Sequence, residues 1–130
     1  MIRDLSLAAK AACSAEDQEL LVPIVLKLRD LGQLAKKKGL LALESELGDT
    51  NDRFLRLGLQ LIIDQTEPDN VRDILDSDIY YNESNGRETL KKIIIREGLL
   101  RIQAGDTPRN ILICTSVFLG KIDKSSFVNI

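Results

Sequence analysis

Residues 53–79 read RFLRLGLQLIIDQTEPDNVRDILDSDI. Phe54, Leu55, Leu57, Leu59, Leu61, Ile62 and Ile63 crowd the first half and leave little polar surface, so a helix from about Arg53 to Asp64 is expected to be central. Asp49, Thr50, Asn51 and Asp52 are candidate caps ahead of it. Thr66-Glu67-Pro68-Asp69 then closes one helix and opens the next. Thr66 is the expected cap, and Pro68 stands in the first turn, where its missing N–H costs nothing. Val71, Ile74, Leu75 and Ile79 recur at helical spacing and should point inward.

Upstream, residues 2–12 have good helix formers and a weak apolar face at Ile2, Leu5, Ala9 and Ala12. Ser14 with Asp17 reads as a capping box, so a short helical turn from Ser14 to Val22 should lead into a longer helix past Pro23. From Ile24 to Leu47 the apolar positions Ile24, Leu28, Leu31 and Ala35, with Leu34, Leu41 and Leu43 alongside, predict one long amphipathic helix that ends at Gly48. Downstream, Tyr80 to Gly86 is a polar turn cluster, and Arg87 to Ala104 carries Leu90, Ile93, Ile94, Ile95, Leu99, Leu100 and Ile102 on a further helix. Gly105-Asp106-Thr107-Pro108 repeats the stop-cap-proline pattern, and Ile111 to Leu119 is a last, strongly apolar helix. The tail KIDKSSFVNI has no period; a strand-like strap and a disordered end are both open for it.

An internal echo runs through these segments. Gly58 precedes Pro68 and Gly98 precedes Pro108 by the same ten residues, so a helix–turn–helix unit is expected twice, about forty residues apart. The fold class that follows is all-α: a compact bundle of about five to six helices containing two pseudo-repeated helix–turn–helix units. A single domain over residues 1–130 is expected, with 2–79 as a first half, 80–86 as a linking turn, 87–119 as a second half and 120–130 as a tail. Gly39, Gly58 and Gly98 each fall inside a predicted helix, at a cost of about 1 kcal/mol against alanine. Close backbone approach at helix crossings would offset that, and a hinge is the sharper alternative.

Composition agrees with a helical bundle and narrows its function. Aromatics are 4% of the chain, and the apolar burden rests on 22 Leu and 14 Ile, which fill helix seams well. A net charge of −2 does not draw a phosphate backbone, so nucleic acid is not an expected partner. The basic run Lys36-Lys37-Lys38 spreads around a helix rather than forming a stripe, and reads first as a solvated face. The absence of histidine removes imidazole metal sites and Ser-His or Cys-His nucleophiles. No metal, cofactor or catalytic residue is expected. Cys13 and Cys114 sit among apolar neighbours and are expected as buried, reduced thiols. No segment approaches the ~20 apolar residues of a membrane span, and the amino terminus lacks secretory features, so a cytoplasmic location is expected.

Two stretches carry a family resemblance. AKKKGLLALESEL (Ala35 to Leu47), followed by FLRLGLQLIIDQTEPDNVRDIL (Phe54 to Leu75), resembles the large cytoplasmic segment of MotA, the stator subunit of the bacterial flagellar motor. IIREGLLRIQAGDTPRNIL (Ile94 to Leu112) resembles the cytoplasmic segment after that family's last membrane helix. In the family, membrane helices precede the first segment and lie between the two; here Asp76 to Ile93 is short and polar, which implies a chain without the ion channel. The resemblance implies torque transmission through charges that meet the rotor protein FliG. It places the basic member on Lys36 and the acidic member on Glu44, which flank Gly39. Lysine stands where the family usually has arginine, which weakens bidentate pairing with a carboxylate. The uncharged ILICTSVFL also departs from the family and implies packing against another element or subunit.

The residues alone support a smaller version of this idea. Lys36 and Glu44, eight positions apart on one predicted helix, would project from similar sides and offer a dipolar strip to a protein partner. The leading expectation is therefore an interaction module for a rotor FliG-like or stator component. A structural or regulatory homo-oligomer, dimeric through the last helix and the glycine seams, is the alternative, and an enzyme ranks last.

Overall fold

A computed structural model describes residues 5–128. Among these, seven α-helices follow one another: α1 (Leu5–Lys10), α2 (Ala15–Glu19), α3 (Val22–Lys38), α4 (Arg53–Ile63), α5 (Pro68–Tyr81), α6 (Arg87–Gln103) and α7 (Pro108–Ser116). A 3-10 helix, Leu40–Glu46, lies between α3 and α4. The described residues hold no strand, so the all-α expectation stands. The short α1 and α2 precede α3 as separate pieces, as the capping box at Ser14 and Pro23 predict.

Local chemistry sets most of the boundaries. Ser14 accepts from the Asp17 N–H at 3.1 Å to open α2, and Asp52 accepts from the Leu55 N–H at 2.9 Å to open α4. Pro23 occupies the first turn of α3, where no amide partner is lost. α4 and α6 end alike: Gln65 (φ 62°) and Gly105 (φ 80°) turn left-handed, and the next amide reaches back to Leu61 O and Arg101 O, both at 3.0 Å. The caps that follow differ. Thr107 accepts from the Asn110 N–H at 3.1 Å, but the residue at the α5 cap is Glu67 and its side chain makes no cap bond. The expected capping by Thr66 therefore does not occur. The last helix also starts earlier than its apolar run suggests, at Pro108, and stops at Ser116.

The centre of the bundle is α6 rather than α4. It packs against α3, α4, α5 and α7, and buries Leu90, Ile93, Ile94, Ile95, Leu99 and Ile102 around most of its circumference. α4 keeps a wet side at Arg53, Arg56 and Gln60. Twelve large aliphatic side chains are less than 2% exposed, and each contributes roughly 1.5–3 kcal/mol by leaving water. Two glycines let the helices close up. A Cβ at Gly98 would stand 2.7 Å from Leu28 Cδ1, and one at Gly58 would overlap Leu99 Cδ1. These positions are close crossings of α6 on α3 and of α4 on α6, as their helical setting predicts.

Several inward expectations fail at the periphery. Ile74 is 39% exposed on α5, whereas Val71, Leu75 and Ile79 are buried. In α1, Leu5 is 81% exposed and Ala9 is exposed, while Leu7 takes the inner side; Ile2 lies outside the described residues. Cys13 and Cys114 are free but only half-buried, because neither sits on the inner arc of a helix. Burial, and then the nearby Asp17 carboxylate, push the Cys13 thiol up. Residues 120–128 form turns: Leu119 and Val128 are buried, and the Lys121 N–H donates to Gln18 Oε1 at 2.9 Å. No strand forms in residues 120–128.

Candidate functional site

The site indicated by the sequence is built on Gly39. α3 ends at Lys38, and Gly39 donates to Ala35 O at 2.8 Å while its own backbone swings to φ 88°, ψ 164°. The following residues wind as a 3-10 helix that packs on both α3 and α4. Lys27 Nζ meets Glu46 Oε1 at 3.5 Å, so this segment doubles back along α3 instead of prolonging it. The single helix expected from Ile24 to Leu47 is thus a hairpin. Leu43 is buried and Leu40 half-buried, three residues apart as a 3-10 winding requires.

This changes the relation of the two predicted site residues. Lys36 lies on the last turn of α3 and Glu44 on the returning arm; they do not share a face of one helix. Both are exposed, and neither enters an ion pair among the described residues. Lys37 and Lys38 are equally exposed, at a helix end whose free carbonyls favour cations. Leu41, at the turn between the arms, is 59% exposed.

Two clefts flank Gly39. One, of about 600 Å³, lies against the α4–α5 corner and is lined by Leu40, Leu41, Ile62, Pro68, Lys38 and Glu67. The other, of about 220 Å³, faces the α6–α7 corner and includes Lys36 and Asp106. Asp106 is already engaged: Asn110 Nδ2 donates to it at 3.0 Å and the Thr107 N–H at 2.9 Å, and these bonds help lower its carboxyl pKa. Gln103 borders both clefts. Its Nε2 donates to Thr66 O at 2.7 Å, and its Oε1 is buried with no donor.

A second charged cluster is wholly structural in position. Asp78 on α5 is 6% exposed and accepts from Arg53 Nη2 (2.9 Å), Lys92 Nζ (2.9 Å) and Asn82 Nδ2 (2.8 Å), tying α4, α5 and α6. Burial alone would raise its carboxyl pKa, but the bonds from Lys92, Asn82 and Arg53 outweigh it and hold the value low. Lys91 meets Asp52 at 2.7 Å and Arg96 meets Asp76 at 2.6 Å, adding ties from α6 to the start of α4 and to α5. The signal for Asp78 was present in the sequence, since it follows Val71 and Leu75 at inward spacing. No group of three or more Cys, Asp or Glu side chains that could hold a metal ion occurs among the described residues. None of their helices is long and apolar enough to cross a membrane.

Comparison with known proteins returns partial matches. The chain is 39% identical over 54 residues to Motility protein A of Borreliella burgdorferi, covering 42% of this chain and 21% of that protein. It is 33% identical over 60 residues to Motility protein A of Treponema phagedenis (46% and 23%) and 32% identical over 65 residues to that of Bacillus subtilis (49% and 24%). No protein-family profile matches the chain, and no solved structure does. The chain thus spans under a quarter of the length of the curated relatives it matches, and carries a segment distantly similar to Motility protein A.

Proposed function

We propose that this chain is a single-domain, cytoplasmic protein–protein interaction module, related to the torque-transmitting part of a flagellar stator subunit and lacking an ion channel. One observation carries the reading: the hairpin at Gly39 presents Lys36 and Glu44 exposed and unpaired among the described residues, on the stretch that resembles the stator's cytoplasmic segment. Charges without partners among the described residues are available to meet complementary ones on a rotor FliG-like or stator protein. The absence of imidazole and the names of the similar proteins favour no enzymatic role.

The homodimer alternative receives less support. It relied on an outward apolar last helix, and Ile111, Leu112 and Thr115 of α7 are buried, with α7 packed against α3 and α6 of the same chain. Its glycine seams are filled by the chain's own Leu28 and Leu99.

Calorimetric titration of the purified chain with the rotor protein of the same cell tests the proposal. Binding should weaken as salt rises, and Lys36→Glu or Glu44→Lys should each reduce affinity by about 5–10-fold. Absence of binding to rotor and stator proteins alike, with a folded chain, rejects the reading.

A further inference from the structure

The outer face of α5 is exposed, and both tyrosines of the chain stand on it. Asp69, Asp73, Ser77, Tyr80 and Tyr81 recur at i, i+4, i+8, i+11 and i+12, the spacing of one helix face, opposite the buried Val71, Leu75 and Ile79. Tyr81 is 86% exposed; Tyr80, which makes contacts of its own within the chain, is 48% exposed. Exposed Ile74 flanks them, so the core does not account for this apolar surface. Ser77 sits four residues from both Asp73 and Tyr81, and its short side chain leaves room between them. The result is a cleft of about 400 Å³ lined by Asp73, Asp76, Ser77, Tyr80 and Tyr81.

The charge at this cleft has one sign. No Lys or Arg lines it. Asp76 already receives Arg96 Nη1 at 2.6 Å, but Asp73, like Asp69 one turn earlier, enters no ion pair among the described residues. α5 holds four aspartates against the single base Arg72, which does not line the cleft. A carboxylate beside an aromatic ring suits a cation that is also flat. A guanidinium pairs with a carboxylate through two parallel N–H donors and stacks on a ring; an ammonium lacks the fork, and an apolar side chain lacks the charge.

We propose that this cleft on α5 seats an arginine side chain from a basic segment of a protein partner, the guanidinium donating to the Asp73 carboxylate and lying against the Tyr81 ring, with Asp69 one turn away for a second cation. The surface is on a different element from Lys36 and Glu44 and has the opposite sign to the lysines at the end of α3, so it is a second contact rather than part of the first.

Panning a random-peptide phage library on the immobilised full chain tests the proposal. Enriched peptides should carry arginine, and should bind Asp73→Asn and Tyr81→Ser at least about fivefold more weakly than the unaltered chain, with Tyr81→Phe retaining the affinity because the ring remains. Replacing the arginine of an enriched peptide by lysine should weaken it as well. Asp73 and Tyr81 are exposed, and circular dichroism checks that each variant is folded. Asp30→Asn, on the exposed side of α3, makes the same change in net charge and should leave binding unaltered. No enrichment of arginine peptides, undiminished binding to Asp73→Asn and Tyr81→Ser, or an equal loss in Asp30→Asn overturns the seat. Lys36→Glu separates it from the rotor contact: peptide binding should persist in that variant, and a loss there places the peptide at the hairpin and removes the seat on α5.

Discussion

Gly39 shows how much one residue decides. Its φ of 88° with ψ of 164° falls in a region that is essentially open to glycine alone. Gly39→Ala should therefore destabilise the chain by about 1–3 kcal/mol, read from urea unfolding. In an uninterrupted helix from Ile24 to Leu47 the same change would stabilise by about 1 kcal/mol, so the sign of the shift distinguishes hairpin from helix. Gly58 and Gly98 look the same in the sequence, and for them a crossing is the cause: Leu99 and Leu28 occupy the space a side chain would need. A glycine inside an apolar pattern marks both cases equally, since nothing nearby in the chain distinguishes a missing Cβ from a needed φ.

At the scale of elements, the two corners after α4 and α6 look alike in sequence and differ in what holds them. Thr107 caps α7 through its hydroxyl, and Thr107→Ala should cost about 1 kcal/mol in thermal or urea unfolding. Thr66→Ala should stay within about 0.5 kcal/mol, because the α5 cap falls one residue later on Glu67 and the Thr66 contact that matters is its backbone carbonyl, accepting from Gln103. Equal losses for the two would contradict the capping geometry. The boundaries of α4, α5 and α6 were legible to within a few residues, because capping residues, proline and glycine act through bonds within one turn. The 3-10 segment was not. Leu40 and Leu43, three residues apart, fit a period of 3.0 as readily as 3.6 over so short a run.

For the molecule as a whole, the junction at Asp78 makes stability depend on acid. Its carboxyl titrates below the ordinary carboxylate value of about 3.9, so its contribution is complete above that pH and is lost as pH falls through the lower folded value. Asp52, where bonds from Lys91 and the Leu55 N–H outweigh the upward push of burial, shifts in the same direction. Asp78→Ala should cost about 3 kcal/mol at neutral pH, since it leaves Lys92 largely buried without its partner. The variant should also lose less stability than the unaltered chain between neutral and strongly acid pH, as followed by urea midpoints. A parallel acid dependence in the two would place the acid-sensitive bonds elsewhere.

What the sequence by itself determined is what local bonding and periodicity encode: an all-helical chain, the caps at Ser14 and Thr107, a cap for α4 somewhere within residues 49–52, the apolar inner positions of α4 and α6, and the likeness to a stator segment. Those signals reside within one or two turns of chain, where side chain and backbone are neighbours whatever the rest does. Only the tertiary structure decided that Lys36 and Glu44 stand on opposite arms of a hairpin, that α6 is the core helix, that Asp78 joins three helices, and that Gln103 borders two clefts. Each of these depends on groups far apart in sequence, such as Lys27 with Glu46 or Lys121 with Gln18, whose meeting is set by which apolar surfaces bury one another best.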